Sequence, residues 1–199
     1  MSDNELIRIL NDGSAFRDYL IFAANHSECD ASDCLDKYQE SDMKYSRKIN
    51  LSNAWSYFKN FINNTPCPIV MSDSLPDNSG AVYMPNQGII LLDVDQDLRQ
   101  IIRSLSIEMA HASLDNTGYS YSRQKNAFCA YCISYVVCQR MGIAGDLFVM
   151  DQLPDSRLGT EYEYSMDFLS KVHSISNALT EGIEIDAKNK TRIKNYEAR

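Results

Sequence analysis

Apolar residues recur at helical spacing at both ends of this chain and at strand-like spacing in its middle. Over residues 3–24, DNELIRILNDGSAFRDYLIFAA, they fall three to four apart with an interruption near Gly13, which predicts one broken helix or two short ones. Residues 25–50 are polar, Asp-rich and weakly periodic, and predict a loop with a short helix around Cys34 to Tyr38. Ser52 is placed to cap a helix over NAWSYFKNFI, whose apolar stripe is Ala54, Trp55, Phe58, Phe61 and Ile62. The period then changes. CPIVMSD (67–73), GAVYM (80–84) and GIILLDV (88–94) are short β-rich runs bounded by Pro, Gly, Asn and Asp, with Pro85 to Gly88 as a hairpin connection. Three helical runs follow. One covers 96–115 behind Asp95, one covers 123–141 behind Ser122 and stops at Gly142, and one runs from Thr160 to about residue 185. DLFVMDQLP (146–154), before the last of them, reads as a loop or short strand. Helices, then grouped strands, then helices predict an α+β fold with a small β-sheet packed on helices.

The run 96–115 carries the candidate chemistry. Wound at about 100° per residue, it places Leu98, Ile101, Ile102, Leu105, Met109 and Ala112 on one face and Ile107, Ala110, His111 and Leu114 roughly opposite. A helix apolar on two sides is expected to be sandwiched between layers. Its segment SIEMAHASL (106–114) reads like a zinc-peptidase helix with one residue changed. In H-E-x-x-H, two imidazoles at i and i+4 share one zinc, and the Glu activates the metal-bound water. Here Glu108 and His111 match the base and the second ligand, but Ile107 stands at the first ligand and has no donor atom.

The likeness extends beyond those residues. AVYMPNQGIILLDVDQDLRQIIRSLSIEMAHASLD resembles the strand–strand–helix run of zincin-like metallopeptidases of the ImmA/IrrE type. It is nearer to their ArdC- and LtrC-related branch, found on plasmids and conjugative elements. SRQKNAFCAYCISYVVCQRMGI (122–143) is similar to that family's next helix, so the resemblance covers about residues 67–145. It implies a single zincin-like domain over 1–199, with a helical N-terminal region over 1–66, a core over 67–145, and a C-terminal helix and tail over 146–199. It also implies a third zinc ligand, a Glu on the next helix, at the position of Ala127, or of Asn126 if the alignment shifts by one. Neither is a carboxylate, and residues 116–145 contain no Asp or Glu. With Ile107 and Ala127 at two of three ligand positions, the expectation is a relict site: Glu108 without a metal water, His111 as a lone ligand position, and no cofactor.

Plainer readings stand beside these. His111 is expected to be a core histidine bonded to a backbone carbonyl or a Tyr. Glu108 is either a relict base or a carboxylate that faces solvent or pairs with Arg. Cys129 and Cys132 share a helical side but lack a second ligand pair, so with Cys138 they read as core. Asp93, Asp95 and Asp97 lack the Gly and Glu of a calcium loop and read as a strand end and helix start. Ser106 and Ser113 have no acid partner for nucleophilic chemistry. Tyrosines at 119, 121, 131, 135, 162 and 164 suggest a contact surface or amphipathic core edges.

Charge narrows the partner. A net charge of −8 argues against general affinity for nucleic acid, although KNKTRIK (188–194) is locally basic. No apolar run is long enough to span a membrane, the N-terminus lacks a signal core, and six cysteines fit a reducing compartment, so a cytoplasmic protein is expected. The functional expectation is a non-catalytic, protein-binding factor of a mobile element or phage, an anti-defence or antirestriction accessory by family association. The alternative is a metal-dependent peptidase that recruits His173 or His26 beside Glu108 and His111.

Overall fold

The computed structural model describes residues 6, 9–41, 54–73, 75, 79–117, 121–143, 147–148 and 162–181. Its helices are α1 (Gly13–Asn25), α2 (Ala31–Glu40), α3 (Ala54–Asn63), α4 (Leu98–Asp115), α5 (Arg123–Arg140) and α6 (Tyr162–Thr180), with further helical residues ahead of Asp12. Its strands are β1 (Ile69–Met71), β2 (Ala81–Met84) and β3 (Ile89–Leu92). The α+β arrangement is therefore the one the periodicity predicts. None of the described helices is long and apolar enough to cross a membrane.

Capping explains where the boundaries fall. The first helical stretch breaks at Asp12, whose carboxylate accepts from the Ser14 and Ala15 N–H groups at 2.9 and 3.1 Å. Residues 31–40, expected to be mostly loop, form a full helix. Asp30 caps it by accepting from Asp33 N at 2.9 Å, and Ala31, Cys34 and Leu35 give it a buried stripe. Asp97, not Asp95, caps α4, while Asp95 folds back on Asp93. Ser122 caps α5 as expected. Ser52, Thr160 and all but Leu147 and Phe148 of the 146–154 run lie outside the described residues.

The sheet has the order β1-β3-β2, with β1 parallel and β2 antiparallel to the central β3. Tyr83 pairs with Ile90, and Val70 with Leu91. The turn over residues 85–88 closes with Gly88 N donating to Met84 O at 2.9 Å and Gly88 at φ 60. A Cβ there would meet nothing within 4 Å, so Gly88→Ala carries only the left-handed backbone penalty. A loss of about 1 kcal/mol in urea unfolding is expected.

α4 lies between this sheet and α5. Ile101, Ile102, Leu105 and Met109 are buried, and so are Ala110, His111 and Leu114 on the other side, as the two-faced pattern predicts. From Cys129 to Cys138 every residue of α5 but half-buried Tyr131 is buried, and α1, α4 and α6 pack on the helix. Its three cysteines are core residues. Small side chains bring α4 and α5 close, with the Ser106 and Ser134 hydroxyls bonded at 2.5 Å. Buried Arg140 ends α5 and donates to the Ala23 and Ala24 carbonyls at the C-terminal end of α1, a position the helix dipole favours for a cation.

Candidate functional site

The candidate site lies where α4 meets the edge strand β2 and the start of α5. Glu108 and His111 are buried there, at 4% and 2% exposure. Strand register sends one donor to Glu108. Asp93 N donates to Gly80 O at 3.0 Å, so Gly80, Val82 and Met84 direct their backbone groups to β3. Ala81 and Tyr83 consequently turn theirs to the open edge, and Tyr83 N–H donates to Glu108 Oε2 at 2.7 Å. Arg123, the first residue of α5, supplies two more donors. Its Nη1 meets Oε2 at 2.8 Å and its Nη2 meets Oε1 at 2.5 Å, a bidentate pair. The Arg123 side chain is 49% exposed and that of Glu108 is 5% exposed, so the guanidinium covers the carboxylate from the solvent side. The hydrogen bonds that Arg123 donates to Glu108 hold its pKa above the ordinary value despite partial burial.

Next to this pair, His111 Nδ1 and the Tyr121 hydroxyl are 3.0 Å apart, with the rings edge to face. Burial pushes the imidazole down to about 4; Glu108 opposes the shift and Arg123 adds to it, so His111 is neutral at pH 7. Tyr121 also meets Tyr83 edge to face at 6.1 Å, and the Tyr83 hydroxyl donates to Asp115 Oδ2 at 2.7 Å. Burial raises both phenols.

This arrangement limits what Glu108 can do. Oε2 accepts from Tyr83 and Arg123, which takes both its lone pairs, and Oε1 accepts from Arg123 and keeps one. Glu108 is thus the Arg-paired carboxylate among the readings open at the sequence level, and His111 is the Tyr-bonded core histidine. Ile107 is a half-buried hydrocarbon and Ala127 an exposed methyl. Asn126 turns its amide nitrogen back to Ser122 O at 3.0 Å. The histidines that could complete a ligand set have other partners. His173 Nε2 meets the Tyr19 hydroxyl at 2.9 Å, and His26 bonds the Phe22 carbonyl and stacks on the Phe22 ring. Among the described residues no three of His, Cys, Asp and Glu are grouped to hold a metal ion. The described residues around Glu108 and His111 do not fit a catalytic zinc site, which takes three protein ligands and a water.

The tyrosines divide. Tyr135 is buried, and Tyr121 and Tyr131 are half-buried; Tyr131 and Tyr135 pack edge to face on Phe148 at 5.2 and 5.3 Å. These three are core edges. Tyr119 and the side chains of Tyr162 and Tyr164 lie outside the described residues. Sequence reasoning did not identify Tyr83, Tyr121 or Arg123 as the partners of Glu108 and His111. Compared with known proteins, the chain matches no family model, no curated protein and no solved structure.

Proposed function

We propose that the chain is a zincin-like scaffold, with its core over 67–145, whose cleft is catalytically silent. In this reading it serves a mobile element or phage by binding a protein partner, as an anti-defence or antirestriction accessory. The carrying observation is the Arg123–Glu108 clamp: a guanidinium meets both oxygens of the carboxylate that would otherwise activate water. A fixed internal cation supplies the counter-charge for Glu108 without a metal. Support also comes from the element order, two strands followed by the Glu108 helix and a buried next helix, with hydrocarbon at Ile107 and Ala127. The mobile-element assignment rests on the family resemblance, and the protein partner on the net charge of −8, which disfavours nucleic acid. Cytoplasmic placement belongs to the same proposal.

The alternative, a peptidase with an atypical ligand set, needs His173 or His26 to leave the partners that hold them. The test pairs capture with cleavage. A host protein retained equally by the wild-type chain and by Glu108→Gln supports the binding role. Zinc-dependent cleavage of a peptide library, abolished in Glu108→Gln, contradicts it.

A further inference from the structure

Cys29 and Cys34 flank the start of α2. Cys29 immediately precedes the cap Asp30, and Cys34 is the fourth residue inside the helix. Side chains at these two positions often pack together at helix N-termini, and the Cys29 thiol is near enough to influence that of Cys34 electrostatically. Lys37, one turn beyond Cys34 on the same face, donates its ammonium to Cys29 Sγ at 2.9 Å. The Cys29 sulfur therefore lies over the face of α2 that carries Cys34. Both thiols are free. Glu28 and Lys37, which contact the Cys29 sulfur, are exposed, so two surface side chains separate it from solvent. Cys34 is fully buried, and burial pushes its thiol up to about 12, with Cys29 adding to the shift. Cys129, Cys132 and Cys138 are enclosed in the α5 core.

We propose that Cys29 and Cys34 form a redox pair, which a low-molecular-weight disulfide such as oxidised glutathione closes into an intrachain disulfide across the start of α2. The Cys29 sulfur gives its proton to the Glu28 carboxylate it faces, and so to water, and attacks one sulfur of the glutathione disulfide. That S–S bond breaks, and the first glutathione leaves as a thiolate that takes up a proton. Cys34 then gives its proton to water as the first turn of α2 opens and attacks the Cys29 sulfur; the mixed disulfide bond breaks, and the second glutathione leaves as a thiolate that takes up a proton. Two protein thiols are oxidised by two electrons and one glutathione disulfide is reduced to two thiols. The Lys37 ammonium stabilises the charge on the Cys29 sulfur during the first attack.

Trypsin releases residues 18–37 as one peptide containing both cysteines and no other. The full chain is treated folded with oxidised glutathione, alkylated, digested and weighed. The expected peptide is lighter by two hydrogens, reverts with dithiothreitol, and in Cys34→Ala carries one glutathione on Cys29 instead. A peptide that stays doubly alkylated overturns the proposal, as does a Cys34→Ala chain whose Cys29 takes no glutathione.

Discussion

Arg123→Ala is expected to lower the unfolding free energy by about 2 to 3 kcal/mol. Removing one member of a buried ion pair costs about 3–5 kcal/mol because the other charge is left unpaired. The figure is reduced here because the Arg123 side chain is 49% exposed, so water replaces part of what is lost. Glu108 would keep the Tyr83 N–H as its donor. Glu108→Gln in the Arg123→Ala background is expected to recover about 1 kcal/mol or more, because the neutral amide still accepts from Tyr83 and needs no cation. Urea denaturation of the wild type, both single variants and the double variant measures this as a coupling energy. A coupling near zero would mean that the clamp contributes nothing to the fold.

Acidification is expected to produce the second large effect. Burial pushes both His111 and His173 down to about 4; Arg140 adds to the shift at His173 and Asp30 opposes it. Each group binds its proton more weakly folded than unfolded. Their contribution to stability is thus complete above pH 6.5 and is lost as pH falls through that value towards 4. A shift of this size corresponds to about 3 kcal/mol per imidazole. Thermal unfolding between pH 7 and pH 4 should show a steep fall, and His173→Gln, which can still meet the Tyr19 hydroxyl, should remove about half of it. An unchanged slope in that variant would assign the acid sensitivity elsewhere.

The α+β order was legible because period and punctuation change together. Apolar pairs three to four apart mark the helices, and short β-rich runs between Pro, Gly and Asp mark the strands. The two-sided burial of α4 also followed from its pattern. Helix α2 was largely missed, although Ala31, Cys34, Leu35 and Tyr38 fall at helical spacing behind Asp30. Its remaining residues are polar, and most of its stability comes from packing on α1 and α6, which a local window cannot register. Glu108 and His111 were legible as a pair because they share one helix. Their partners were not, because register and chain reversal bring them in from elsewhere. Tyr83 arrives through the alternation of β2, and Arg123 through the reversal between α4 and α5. One local signal pointed to Arg123. A cation in the first turn of a helix opposes the helix dipole, and α5 has no acidic residue in that turn to offset it. Such a residue calls for an anionic partner in the fold, and Glu108 is that partner.

Metal content after loading tests the proposed metal-free site most directly. The full chain is incubated with excess zinc, freed of unbound metal, and assayed by inductively coupled plasma mass spectrometry beside His111→Ala. With Ile107 and Ala127 lacking donor atoms and Glu108 held by Arg123, both proteins are expected to retain far less than one ion per chain, in equal amounts. About one zinc per wild-type chain, lost in His111→Ala, would contradict this.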